Sequence, residues 1–204
     1  MKTTLIETKK SKILVAHVPE TVEDLVPLLD NLNTYTSEFN QLNAPKRKKE
    51  FIAVRILMNI LLGKSVIVTY DNNHKPYLTL SDLSISISHS GDYLAIMVTR
   101  DGDAGIDIEC RTTRVRRVCK RYLTPSELAF TNNPTDTSAL EIAWSAKEAI
   151  YKCIGKGANN FHTIKLSPFV ADRKGIFEAV FEPTGQRFKL EYVQNETYTL
   201  VYCE

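Results

Sequence analysis

Twice in its 204 residues the chain repeats one order: a Lys-Glu pair opens an apolar helical run that stops at a glycine and gives way to strands. Lys49-Glu50 runs on to Gly63, and Lys147-Glu148 to Gly155. This internal echo points to a duplicated α+β architecture. The first helix has a start signal in Asn43-Ala44-Pro45, a capping side chain followed by a proline whose missing N–H costs nothing in the first turn. Its expected buried stripe is Phe51, Val54, Leu57, Met58 and Leu61. The second helix is expected over 138–154, ended by Gly155-Lys156-Gly157. Thr124-Pro125-Ser126-Glu127 reads as a capping box for a shorter helix before it, which gives Glu127 a structural role.

Period-two alternation supplies the strands. Residues 12–18 form a first strand, followed by a helix over 22–32 with Leu25, Leu28, Leu29 and Leu32 at helical spacing. The β-branched run 64–70 reads as another strand. Residues 84–109 are expected to be a three-stranded antiparallel meander with a turn at Asp101-Gly102-Asp103. Runs 162–167, 176–182, 187–193 and 197–203 finish the chain as an antiparallel sheet.

Two stretches carry the chemistry. In Gly105-Ile106-Asp107-Ile108-Glu109 the alternation turns both carboxylates to one face and both isoleucines to the other. In the helix, Trp144, Glu148 and Lys152 recur every four residues and line one stripe. A strand offering two carboxylates and a helix offering a third beside an ammonium suit Mg²⁺ and a phosphorylated substrate, since the hard cation takes oxygen ligands. Taken singly, each stretch is also what a solvated strand face or a surface Glu–Lys pair looks like.

Composition narrows the classes. With 43% hydrophobic and 25% charged residues the chain is globular, and a formal charge of +2 gives no ground for a nucleic-acid partner. Cys110, Cys119, Cys153 and Cys203 show no C-x-x-C pair and read as reduced thiols of an intracellular protein. The first twelve residues lack the apolar segment of a signal peptide, and no apolar run approaches the roughly 20 residues of a membrane span. A soluble, cytoplasmic protein without a membrane partner is expected, with a monomer plausible.

Together, in this order, Gly-x-Asp-x-Glu and Trp-x-x-Lys-Glu-Ala-x-x-Lys resemble the signatures of the 4′-phosphopantetheinyl transferases of the surfactin-synthetase type. The resemblance implies two pseudo-symmetric α+β lobes, each a long helix on an antiparallel sheet, with the active site in the cleft between them. Residues 1–103 would be the lobe contacting the nucleotide and phosphates of coenzyme A, and 104–204 the lobe with the metal site and catalytic helix. It also implies Mg²⁺ held by Asp107, Glu109 and Glu148. Arg47 and Arg55 resemble the family's basic residues for the 3′-phosphate. Lys75-Pro76 resembles its Gly-(Arg/Lys)-Pro motif, with His74 where the glycine stands, so a positive φ there would be less easily tolerated. Ser88 and His89 match its Ser-His-Ser motif and inherit contacts to the phosphates, while Ser86 stands where many members have Asn.

The implied reaction moves the 4′-phosphopantetheine of coenzyme A to a serine hydroxyl of an apo acyl or peptidyl carrier protein, releasing 3′,5′-ADP. Glu148, or a metal-bound water that it orients, would take the hydroxyl proton, and Lys152 would neutralise or protonate the leaving phosphate. Lys147, about 100° round the helix from Glu148, would touch carrier, diphosphate or solvent, and Trp144 would be a packing anchor. Six cations crowd into 111–121, and Arg114, Arg116, Arg117 and Lys120 among them would dock an acidic carrier. The competing class is a Mg²⁺-dependent nuclease or nucleic-acid-binding protein, which needs similar acids and a basic track but gives no reason for Ser88-His89 or the Trp144 helix.

Overall fold

The computed structural model describes residues 1–155 and 160–203, so Lys156 and Gly157 of the expected helix stop lie outside the described residues. The chain opens with β1 (Lys2–Glu7) and β2 (Ser11–His17), an antiparallel pair. β1 was not expected: it is an edge strand whose residues are almost all exposed, with no buried face to impose alternation. The expected helix 22–32 is shorter: α1 (Val22–Leu25) is capped by Thr21 and Asp24, then tightens into a 3₁₀ turn, Val26–Leu28. Pro27 has no N–H for a helical bond, which is why the regular helix stops there. A second 3₁₀ turn, Leu32–Tyr35, leads into α2 (Thr36–Gln41).

α3 (Pro45–Leu62) begins at the expected proline, but its N-cap is Ala44 without a side-chain bond, so Asn43 does not cap it. It ends at Gly63, whose left-handed φ of 65° lets its N–H reach the carbonyls of Asn59 and Ile60. Only β3 (Val68–Tyr70) of the expected strand 64–70 is a strand. Residues before it are held by side chains instead: Val66 N–H donates to Asn59 Oδ1, and its carbonyl accepts from Asn31 and Tyr35. β4 (Pro76–Leu78), β5 (Ser84–Ser90) and β6 (Tyr93–Thr99) complete a first sheet in the order β1-β2-β6-β5-β4-β3.

β7 (Gly105–Cys110) corrects the meander: it does not pair with β6 but crosses to a second sheet. After α4 (Val115–Val118), α5 (Pro125–Thr131) and α6 (Ser138–Ile154) come β8 (Ile164–Leu166), β9 (Lys174–Phe181), β10 (Gln186–Gln194) and β11 (Tyr198–Cys203). The second sheet is antiparallel, ordered β7-β11-β10-β9-β8, with Asp107 opposite Val201 and Glu109 opposite Thr199.

Alternation along the strands stacks these elements in four layers. Leu14, Ala16, Leu94 and Ile96 pack under α3 with Ile52, Ile56 and Leu57. Ile13, Val15, Ala95 and Met97, on the other face of the same strands, meet Ile106, Ile108, Leu200 and Tyr202 of the second sheet. Val201, Cys203, Leu190 and Tyr192 turn the opposite way, against Leu140, Ala146, Ala149 and Ile150 of α6. The result is helix, sheet, sheet, helix: an α+β fold of two helix-on-sheet halves packed back to back. α6 lies so close to β7 that a Cβ at Gly105 would overlap the Ala149 carbonyl oxygen and crowd the Cys153 and Cys203 sulfurs. That approach brings the helix stripe over the acidic strand.

Candidate active site

β7 is an edge strand, and its open edge is satisfied by hydroxyls rather than by another backbone. Ser86, Ser88 and Ser90 alternate on one face of β5 and meet it in register. Ser86 Oγ accepts the N–H of Ile106 at 3.1 Å, and Ser90 Oγ accepts that of Cys110 at 3.0 Å. Between them Ser88 donates to Asp107 Oδ1 at 2.8 Å, and Ser90 donates onward to Glu109 Oε2 at 2.7 Å. A row of serines from the first sheet thus stitches down the acids of the second. Ser88, which the resemblance assigns to the phosphates, is buried with its hydroxyl on Asp107.

α6 completes the cluster. Lys152 Nζ donates to Asp107 Oδ1 and to the Ile106 carbonyl, both at 2.9 Å. Trp144 Nε1 donates to Glu109 Oε1 at 3.3 Å, its ring lodged edge-on between Tyr122 and Phe161. Trp144 is thus packed as expected and hydrogen-bonded to an acid as well. Asp107 is buried, and its Oδ2 has no hydrogen-bond partner. Burial and then the Asp107 charge raise the Glu148 pKa to about 7, with Lys152 opposing and Glu109 reinforcing. Glu109 is raised by the same two causes, against the pull of Ser90 and Trp144. Mutual repulsion of this kind shows that the three carboxylates share one field. Among the described residues no three His, Cys, Asp or Glu side chains stand together as a ready metal site, and the cation at Asp107 is the Lys152 ammonium.

The outer residues divide. His89 Nδ1 lies 3.3 Å from Glu50 Oε1, and Glu50 also pairs with Arg47 at 3.2 Å and Lys46 at 3.8 Å. Burial pushes the His89 pKa down; Glu50 opposes, while Arg47, Lys152 and Lys46 reinforce. His89, Arg47 and Lys46 therefore gather at Glu50, a member that sequence reasoning passed over. Lys75 Nζ pairs with Asp103 Oδ1 at 2.8 Å, just upstream of β7. The turn before it does require a positive φ: His74 sits at 61°, held by its N–H to the Asp71 carbonyl.

Arg55 is a correction. Its side chain is fully buried, 3.3 Å over the Phe51 ring and 4.2 Å from that of Tyr35, donating to the Phe51 and Val68 carbonyls and to Glu38. The guanidinium presents no surface to a phosphate; it holds α3 to β3. Lys147 is another. It is fully buried, and its Nζ meets Glu127 at 2.9 Å and the carbonyls of Phe161 and Ile164 at 3.0 and 2.8 Å. Carrier, diphosphate and solvent are all out of its reach. Glu127 forms the expected capping box with Thr124, and its Oε1 also accepts the Leu166 N–H. Adjacent residues of one signature thus face opposite environments, Lys147 the core and Glu148 the acidic junction.

Of the cationic run, Arg114, Arg117 and Lys120 are exposed, while Arg116 is half-buried and donates to the Asp136 carbonyl at 3.2 Å. A concavity of about 580 Å³ lined by Arg111, Asp136, Ser138, Arg173, Gln194 and Asn195 opens beside it. It lies at the start of α6, fourteen residues or about 21 Å from Lys152, and Arg111 there is already held by Glu141, Ser138 and Asn195. The acids lie elsewhere, at the seam of the two sheets.

Residues 103–203, about half of the chain, match the model of the 4′-phosphopantetheinyl transferase superfamily, a span that contains β7 and α6. This half belongs to the phosphopantetheinyl transferase superfamily. The chain is 27% identical over 128 residues to a putative 4′-phosphopantetheinyl transferase of Synechocystis, covering 55% of this chain and 52% of that protein. It is 29% identical over 118 residues to the 4′-phosphopantetheinyl transferase AcpT of Escherichia coli O157:H7, covering 55% of this chain and 60% of AcpT. The match thus spans only about half to three-fifths of each curated relative. The acids and the helix stripe of the transferase half fall inside the matched segment; the serines that hold the acids fall outside it.

Proposed function

We propose that this protein transfers the 4′-phosphopantetheine moiety of coenzyme A to a serine hydroxyl of an apo acyl or peptidyl carrier protein, as a transferase of the surfactin-synthetase type. The observation that carries the proposal is the meeting of Asp107, Glu109, Glu148 and Lys152 at one seam, inside a segment of the superfamily. The donor chemistry suits Mg²⁺: all three acids offer hard oxygens, and the buried Oδ2 of Asp107 lacks a partner that a cation would provide, although the side chains would have to draw together to share one ion. Asp107, Glu109 and Glu148 would hold it. When bound, Mg²⁺ supplies Lewis-acid polarisation and orientation of the diphosphate.

The chain's own residues do the rest. A new bond forms between the carrier serine oxygen and the pantetheine-side phosphorus as the bond from that phosphorus to the oxygen of 3′,5′-ADP breaks. Glu148 would take the serine proton, directly or through a water that it orients. Lys152, a quarter exposed and bonded to Asp107, would neutralise or protonate the leaving phosphate. His89, Arg47 and Lys75 border the seam and would contact the phosphates of coenzyme A. Arg114, Arg116, Arg117 and Lys120 would steer an acidic carrier to it.

The test is mass spectrometry of an apo carrier protein incubated with coenzyme A, Mg²⁺ and the protein. A gain of one phosphopantetheine mass, lost when Mg²⁺ is chelated, supports the proposal. An unmodified carrier across fatty-acid, polyketide and peptide synthetase types refutes it.

A further inference from the structure

Glu109 accepts a bond on each of its two oxygens, and neither donor has a part in the reaction so far. Its Oε2 accepts from Ser90 Oγ at 2.7 Å and its Oε1 from Trp144 Nε1 at 3.3 Å. Both donors are themselves fixed. Ser90 has one hydroxyl proton, given to Glu109, while its oxygen is tied to β7 by accepting the Cys110 N–H at 3.0 Å. The Trp144 ring stands edge-on to Tyr122 at 5.0 Å and Phe161 at 5.7 Å, so its N–H is aimed by packing. The donors come from opposite sides of the seam, β5 of the first sheet and α6 of the second half. Each carboxylate oxygen accepts more than one bond, so each keeps capacity for a cation.

We propose that Ser90 and Trp144 are positioning residues that clamp Glu109 in its metal-holding orientation, and that Trp144 reports through its indole N–H whether a cation is bound there. The inference deepens the Mg²⁺ reading above and rests on it. A carboxylate fixed by two donors loses little freedom on binding a cation. Removing such an outer partner weakens metal affinity by roughly 10- to 100-fold in general. Trp144 is the only tryptophan in the chain, so its emission is a signal from this one place.

The experiment titrates the full chain, without coenzyme A or carrier, with Mn²⁺ as a paramagnetic stand-in for Mg²⁺. Trp144 fluorescence and the free Mn²⁺ signal in electron paramagnetic resonance are followed in parallel. The wild-type protein should show saturable quenching that excess Mg²⁺ reverses. Ser90→Ala should raise the Mn²⁺ Kd by roughly 10- to 100-fold with an unchanged circular dichroism spectrum, and Ser90→Thr should restore most of the affinity. Trp144→Phe keeps an aromatic ring but no N–H, and should raise the Kd measured by paramagnetic resonance. Wild-type binding with the same Kd in Ser90→Ala and Trp144→Phe overturns the clamp and leaves the metal reading standing. No saturable Mn²⁺ binding in the wild type overturns both. Should Ser90→Ala not fold, the Kd of Trp144→Phe decides the matter: raised, it supports the clamp, and unchanged, it overturns it.

Discussion

Replacing Lys147 by methionine separates the two halves of the helix signature. The change keeps most of the aliphatic stem and removes an ammonium that is fully buried and bonded to Glu127 and to the Phe161 and Ile164 carbonyls. Breaking a buried ion pair from one side costs about 3–5 kcal/mol, chiefly because the other charge is stranded. Glu127 keeps donors from Thr124 N at 2.7 Å, Thr124 Oγ1 at 2.8 Å and Leu166 N at 2.9 Å, which favours the lower end, about 3 kcal/mol. For a chain of this size that is a melting temperature lowered by roughly 6–12 °C. Thermal and urea unfolding followed by circular dichroism measure it. In a double-mutant cycle Glu127→Gln and Lys147→Met should be far from additive, as partners in contact are. An unchanged melting temperature and urea midpoint with turnover abolished would place Lys147 among the reacting groups and refute the reasoning.

Asp107→Ala should abolish metal-dependent transfer while the protein stays folded; an active, folded variant counts against the assignment. Glu148→Gln should lower kcat by roughly 10²–10⁴-fold with little change in KM for coenzyme A, and a near-normal kcat removes it as the proton acceptor. Charge reversal at Arg116 and Arg117 should raise KM for the carrier much more than KM for coenzyme A, and equal effects argue against docking. Burial alone would raise the Glu127 pKa, but the N–H groups of Thr124 and Leu166 and the Lys147 ammonium outweigh it and hold it below its usual 4.5. Its stabilisation is therefore complete above that value and lost as pH falls through the lowered folded-state value. Urea midpoints should drop more steeply on acidification in the wild type than in Glu127→Gln, and parallel slopes would contradict this.

Much of this was legible in the chain because burial imposes periods. Asp107 and Glu109 share a face because Ile106 and Ile108 need the other, and the last four strands stand close to where alternation put them. Strand partners were not legible. The same alternation suits β7 beside β6 or β11, and the crossing at Asp101-Gly102-Asp103 looks like a hairpin turn from sequence alone. The serine row had a signal, Ser-x-Ser-x-Ser, but its acceptors lie about twenty residues on. Lys147 and Arg55 misled for a shared reason: long cations are expected at the surface, and only folding reveals Glu127 for one and the Phe51 and Tyr35 rings for the other. Pro27 was the one plain signal passed over.

The hydroxyls from β5 carry a practical lesson for building chimaeras. The stretch recognisable by likeness begins at residue 103, yet Ser88 and Ser90 lie upstream of it. A graft cut at that border would transplant charged groups without their anchors, whereas a breakpoint ahead of Ser84 carries the donors along with what they hold.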